Sequence, residues 1–241
     1  MRTGQLIRLL RCAGAVAGLL VLLSCSGTQW AALTTPDVLI IKHHIQSNSS
    51  NMAEFCRRLY RKNPCYQPDR AIQATNLDAI FQRCYIADPD LPLLLPRPSR
   101  HPAVDRLPSH RLLALAFAPN PPIADRIYLL ALGIKKSLME GYSGYNNDHF
   151  IFTGVQLSEK RLRRLYRNLS QVYWRIKTRR NQDGKLLFLS NARDNNGYIN
   201  MGYEMLMTRV LTRISDDIYL RHGQTPNFIF GVGTTFVPLL L

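Results

Sequence analysis

Asn120-Pro-Pro-Ile-Ala-Asp-Arg-Ile-Tyr-Leu-Leu-Ala-Leu-Gly-Ile-Lys-Lys-Ser-Leu-Met-Glu140-Gly141 is the stretch on which the fold class turns. It opens on prolines, which a first helical turn tolerates because its N–H groups lack partners anyway. It closes on Gly141, a residue suited to the left-handed position that ends a helix. Ile123, Ile127, Leu130, Ile134 and Leu138 recur at helical spacing, and Leu129, Ala131 and Leu132 make the middle apolar nearly all round. A helix greasy on every side is expected at the centre of a bundle. It is too short, and too charged at Lys135-Lys136, for the roughly 20 apolar residues that a bilayer span requires.

Downstream, Gly141 to His149 is rich in turn residues, and Phe150-Ile-Phe152 reads as a short strand. Ser158 then caps a helix that runs to about Arg180. Leu162, Leu165, Leu169, Val172 and Ile176 repeat at three and four residues, a heptad seam. Around that seam stand Lys160, Arg161, Arg163, Arg164, Arg167, Arg175, Lys177, Arg179 and Arg180 against the single Glu159. A solvated helix gains from mixed signs at i,i+4, whereas Lys160/Arg164 and Arg163/Arg167 are like pairs that cost a few tenths of a kcal/mol each. Two readings stand: a solvated face, or a face for an anionic surface or partner. For the second, the binding residues are Arg161, Arg163, Arg164, Arg167, Arg175 and Lys177. Asn181-Gln-Asp-Gly184 is a turn, and Lys185 to Leu189 is a candidate strand to pair with Phe150–Phe152. The last helix is expected over Tyr198 to His222. Tyr203, Leu206, Val210, Ile214 and Ile218 form its seam, with Met205 and Met207 filling around it and Asp216-Asp217 as counter-charge for the basic helix. The apolar tail, Phe228 to Leu241, is expected to be buried against the bundle.

Upstream, nine prolines between Pro89 and Pro122 forbid one continuous helix and favour extended chain. Within them, His110 to Ala118 is apolar and reads as a short helix or a strand. Asn51 is a cap for a helix from Met52 to Lys62, stopped by Asn63-Pro64. A second helix is expected from Pro68-Asp69 to about Arg83, and the two make a helical hairpin. Val38 to Ile41 is a brief apolar run before the polar Gln46-Ser-Asn-Ser-Ser-Asn51. His43-His44 point apart on either helix or strand, and zinc needs three or four ligands, so no metal site is expected there.

The N-terminus carries the most specific pattern. Arg2, Arg8 and Arg11 lead into a short apolar core, Cys12 to Leu23, followed by Ser24-Cys25. A basic head, a brief apolar middle and a small residue are the signs of an export signal. Leu22-Leu23-Ser24-Cys25 resembles the lipobox of bacterial lipoproteins; the other reading is an ordinary signal peptide or an uncleaved anchor. The resemblance implies a mature protein that begins at a diacylglycerol- and palmitate-type acylated Cys25. Several acyl chains anchor stably, since each buried methylene contributes about 0.8 kcal/mol. Ser26 in place of an aspartate implies the outer membrane, facing the periplasm.

On this reading residues 1–24 are the signal, 25–36 a tether, 37–87 the N-terminal helical hairpin, 88–122 a Pro-rich connector and 123–241 a C-terminal helical domain. The fold class is mainly α, a helical bundle with at most a small β element. Once Cys12 is removed and Cys25 lipidated, Cys56, Cys65 and Cys84 remain as disulfide candidates, whose connectivity spacing does not determine. The chain carries +15 over 241 residues. In a cytosolic protein such charge would indicate nucleic acid. For an exported one it indicates anionic lipid, lipopolysaccharide, an acidic wall polymer or an envelope protein, and no nucleic acid.

No nucleophile elbow, metalloprotease, P-loop or dinucleotide pattern occurs, and no cofactor is implied. The weak catalytic candidates are Glu140, Asp148 and His149, with Tyr142 and Tyr145 beside them. A carboxyl at an apolar helix end would have a raised pKa and suit general-acid work on a glycan. The expected function is non-catalytic: a lipid-anchored envelope interaction or assembly factor whose basic helix binds an anionic surface or partner. The alternative is a peptidoglycan- or glycan-active hydrolase using Glu140 and Asp148.

Overall fold

The computed structural model describes residues 36–81, 101–142, 157–191 and 201–220. Among these the chain forms seven helices and no strand. They are α1 (Pro36–Lys62), α2 (Arg70–Phe81), α3 (Pro102–Asp105), α4 (Ser109–Ala116), α5 (Arg126–Gly141), α6 (Glu159–Thr178) and α7 (Gly202–Leu220). The chain is mainly α, as the helical periodicities require. Cys25, Cys84, Tyr145, Asp148, His149, Phe150–Phe152 and the tail from Phe228 lie outside the described residues.

Helix α5 is the centre. Ile127, Leu129, Leu130, Ala131, Leu132 and Ile134 are all fully buried. Helices α1, α2, α4 and α6 pack around it, and α7 closes the bundle against α1 and α6. Two close approaches need glycine. A Cβ on Gly133 would stand 2.8 Å from Cδ2 of Leu113 in α4, and one on Gly141 would stand 2.6 Å from Cδ2 of Leu165 in α6. Gly141 is therefore the last residue of α5, not a left-handed cap; Tyr142 follows it with φ −104°. At the other end, Asp125 is the cap, accepting from the Tyr128 N–H at 2.9 Å. The helix thus starts after Asp125 and not on the prolines, because a carboxylate satisfies an N-terminal donor that proline merely lacks.

Helix α1 starts at Pro36, not at Asn51. Val38–Ile41, the histidines and the polar cluster all belong to it. Ile41, Asn48, Met52, Phe55, Cys56, Leu59 and Tyr60 lie on one buried face, so the helical stripe runs straight through the polar stretch. Asn48 is fully buried there, with its Oδ1 accepting from Arg213 Nη1 of α7 at 3.4 Å. Tertiary packing overrides the weak helix preference of Ser and Asn. The helix ends at Lys62 before Asn63-Pro64, and Asp69 caps α2 by accepting from the Ala71 N–H at 2.8 Å.

The hairpin of α1 and α2 has no core of its own. Its Met52, Phe55, Leu77 and Ile80 join the same buried cluster as Leu130 of α5, Leu165 of α6 and Val210 of α7. Among the described residues there is one core, shared by the segments the sequence separates. The connector contributes to it as well: His110–Ala118 is mostly helix α4, with Leu112, Leu113 and Ala116 buried.

Cys56 and Cys65 are free thiols, the first buried and the second exposed. They do not pair with one another, since α1 turns Cys56 into the core while the turn after Pro64 leaves Cys65 outside. Desolvation pushes the Cys56 thiol far above its ordinary range, which makes it inert.

Among the described residues after α6, 179–191, there is no strand, and Arg180 and Leu186 form an isolated antiparallel bridge. Side chains from the turn after α1 bond the backbone of this stretch. Asn63 Nδ2 donates to Leu189 O at 2.9 Å, and Leu189 N donates back to Asn63 Oδ1 at 2.7 Å. The Tyr66 hydroxyl donates to Leu187 O. Phe188 sits between Tyr66 and Phe117, with ring centroids 5.6 and 5.4 Å away.

Candidate functional site

The heptad seam of α6 (Leu162, Leu165, Leu169, Val172, Ile176) is buried throughout, which turns the charged positions outward. Ser158 caps the helix, accepting from the Arg161 N–H at 3.4 Å. The six candidate binding residues do not form one uniform face. Lys177 Nζ lies 2.7 Å from Glu204 Oε1 of α7 and 4.4 Å from the centre of the Tyr173 ring. Burial opposes the Lys177 charge, but the hydrogen bonds it donates to Glu204 and Tyr173 outweigh it and raise its pKa. Arg175 is half-buried, its guanidinium 5.9 Å from the centre of the Phe117 ring. These two hold the bundle together. Arg163 pairs with Glu159 at 2.6 Å, a surface i,i+4 bridge that contributes about 0.3–0.5 kcal/mol. Arg161 and Arg164 are half-buried, whereas Lys160 and Arg167 are exposed. Five of the seven basic residues of α6 (Lys160, Arg161, Arg163, Arg164 and Arg167) stand in its first half, and Lys177, although exposed, is paired with Glu204.

Asp217 is not a counter-charge for α6. Its side chain is fully buried; Oδ1 lies 2.7 Å from His44 Nδ1 of α1, and Oδ2 accepts from the Tyr142 hydroxyl at 2.5 Å. Burial raises the Asp217 pKa, and the hydrogen bonds from Tyr142 and His44 partly oppose this. Burial and the Asp217 carboxylate push the Tyr142 phenol far up as well. The His44 side chain is 14% exposed. The trio ties α1, the end of α5 and α7 together. No local sequence signal reveals it, because His44 and Asp217 stand 173 positions apart. Glu204 of α7 is a counter-charge that the basic helix does find, through Lys177. Met205, expected in the core, is 53% exposed, while Met207 is buried.

The same device recurs. Tyr60 donates to Asp125 Oδ2 at 2.9 Å, and Tyr128 donates to Asp105 Oδ1 at 2.6 Å. Lys136 of α5 is buried and donates to the carbonyls of Asp105 and Leu107. Each buried charge is spent on a neighbouring element, as burial without a partner would cost several kcal/mol.

Glu140 is the described member of the catalytic candidates. Its Oε2 accepts from Ser109 Oγ at 2.6 Å, which ties α5 to the start of α4. Burial raises the Glu140 pKa, and the Ser109 hydrogen bonds partly oppose the rise. A raised folded-state pKa means that this carboxyl's contribution is present below the ordinary value of 4.5 and lost as pH rises through the higher one. Glu140→Gln keeps an acceptor for Ser109 and does not titrate. Its stability relative to the parent is therefore expected to grow as pH rises across that window, measured by urea unfolding at several pH values. A difference independent of pH would show that Glu140 titrates normally. Among the described residues no group of three or more His, Cys, Asp or Glu is placed to hold a metal ion.

Comparison with protein-family models, with curated proteins and with solved structures returned no match.

Proposed function

We propose that this chain is a lipid-anchored protein of the cell envelope that docks, without catalysis, onto an anionic surface or partner through the first half of α6. The observation that carries the reading is the one-signed face of that helix. Its apolar seam is spent on the core, Lys160 and Arg167 are exposed, and Arg163 has the sole acid of that half, Glu159, as its partner. The anchor is Cys25, on the strength of Leu22-Leu23-Ser24-Cys25. No helix among the described residues is long and apolar enough to cross a membrane.

The test reverses Arg163, Arg164 and Arg167 to glutamate in a Cys25→Ala background, so that attraction is read without acyl chains. An anionic surface attracts about 1 kcal/mol per nearby basic residue, so the triple reversal is expected to weaken binding to anionic vesicles roughly a hundredfold or more. Neutral vesicles supply the baseline, and circular dichroism should be unchanged. Binding that survives the reversal, or that ignores added salt, overturns the docking reading. Intact mass of the membrane-extracted protein tests the anchor. The expected mass is an acylated chain beginning at Cys25, absent from the Cys25→Ala variant.

A further inference from the structure

The other end of α6 opens onto a cleft of about 500 Å³ between the end of α4 and the turn at Arg179–Leu187. Tyr66 and Phe117 supply its aromatic walls, and Arg126, Arg179 and Arg180 line it. Arg126 is held in place: its guanidinium donates to the carbonyls of Ala116 at 3.1 Å, Ala118 at 2.5 Å and Pro119 at 2.8 Å. Those carbonyls take three of its five guanidinium N–H groups and do not neutralise its charge. Among the described residues no carboxylate pairs with Arg126 or Arg179. Arg180 Nη1 donates to Gly184 O at 2.7 Å, so it too bonds a neutral group. The one acid lining the cleft, Asp183, accepts from Asn181 Nδ2 at 3.3 Å within its own turn. Arg175, outside this lining, stands with its guanidinium 5.9 Å from the centre of the Phe117 ring. Desolvation lowers the Arg175 and Arg126 pKa values, and Arg179 adds like-charge repulsion to Arg175.

We infer that this cleft binds a phosphate monoester, with the phosphoryl oxygens on Arg126, Arg179 and Arg180 and the organic part against Phe117 and Tyr66. Guanidinium forks match the oxygens of a phosphoryl group in geometry, and a monoester carries close to two negative charges against a surplus of unneutralised cations. A carboxylate would offset only one. The inference rests on the proposal that the chain binds anionic groups, and it puts a defined pocket at the opposite end of α6 from Arg163–Arg167. The phosphoryl group has two sources, a lipid headgroup or a soluble metabolite.

The test titrates the full chain with glycerol 3-phosphate calorimetrically. It also compares vesicles doped with phosphatidate, a monoester, against equally charged vesicles doped with phosphatidylglycerol, a diester. Saturable binding of glycerol 3-phosphate is expected, weakened at least about tenfold in Arg179→Gln and more in Arg179→Glu, because a charge-assisted contact is lost. Both variants should fold, since the bonds that Arg179 makes in the turn come from its backbone N–H and carbonyl. Lys42→Glu should leave glycerol 3-phosphate binding within about twofold, being an exposed and screened charge on α1 that does not line the cleft. A preference for phosphatidate would identify the headgroup as the source; equal vesicle binding beside intact glycerol 3-phosphate binding would identify a soluble one. No binding of glycerol 3-phosphate, or equal binding by Arg179→Gln and the parent, overturns the cleft. If vesicle binding is then still lost in the Arg163/Arg164/Arg167 reversal, the docking face stands and only the cleft has failed.

Discussion

Asp217→Ala is expected to destabilise the fold by about 3 kcal/mol, as removal of one partner from a buried charged hydrogen-bond network does. The alanine removes the acceptor of the buried Tyr142 hydroxyl and the partner of the part-buried His44 Nδ1, and it cuts the polar tie between α1, α5 and α7. Asp217→Asn should cost far less. Its oxygen still accepts from Tyr142, and its amide N–H can donate to His44 Nδ1 when that nitrogen carries no proton. Burial already disfavours the ionised carboxyl, so the neutral amide removes a penalty as it weakens the bonds. Urea unfolding of the two variants reads the difference directly. An alanine variant as stable as the asparagine one would mean that the trio contributes shape but no bonding.

Asn63→Ala carries the second large effect, about 2–3 kcal/mol, from three hydrogen bonds lost at one amide. Two of them are the reciprocal pair with Leu189, and the third runs from Nδ2 to Leu59 O at 2.8 Å. Without them both backbone groups of Leu189 lose their partner, and the segment around Phe188 is held by Tyr66 and ring packing alone. Amide exchange at Leu189 should rise with the loss of stability. Asn63→Asp keeps the acceptor and loses both donors, so it should fall between the parent and the alanine variant. Unchanged exchange in Asn63→Ala would show that the clamp is incidental to the turn.

Asn63 also shows how sequence and structure divide the information. Beside Pro64, Asn63 reads correctly as a helix stop, and α1 does end one residue earlier. Its bond to Leu189, 126 positions away, leaves no local trace. The polar run Gln46–Asn51 reads as a cluster ahead of the helix, with Asn51 as its cap, because a short window sees only composition. Seen over the whole of α1, Ile41, Asn48, Met52 and Phe55 keep one face across it. The charge of α6 is legible residue by residue, and so is its buried seam. That Lys177 belongs to Glu204 and Arg175 to Phe117 is not, since those partners come from α7 and the end of α4.

Local chemistry alone therefore determined the helical class, the central place of α5, the seams of α6 and α7, and the cap at Ser158. Periodicity and capping act within a turn or two of the chain, which is the range a sequence exposes. Tertiary structure alone decided that α1 runs unbroken from Pro36, that the N-terminal hairpin shares one core with the rest, and which arginines of α6 face outward. It also decided that His44, Tyr142 and Asp217 meet, and that Arg126 and Arg179 line one cleft. Buried charges are desolvated at a cost that only specific partners offset. Those partners are chosen by packing across the bundle and not by proximity along the chain.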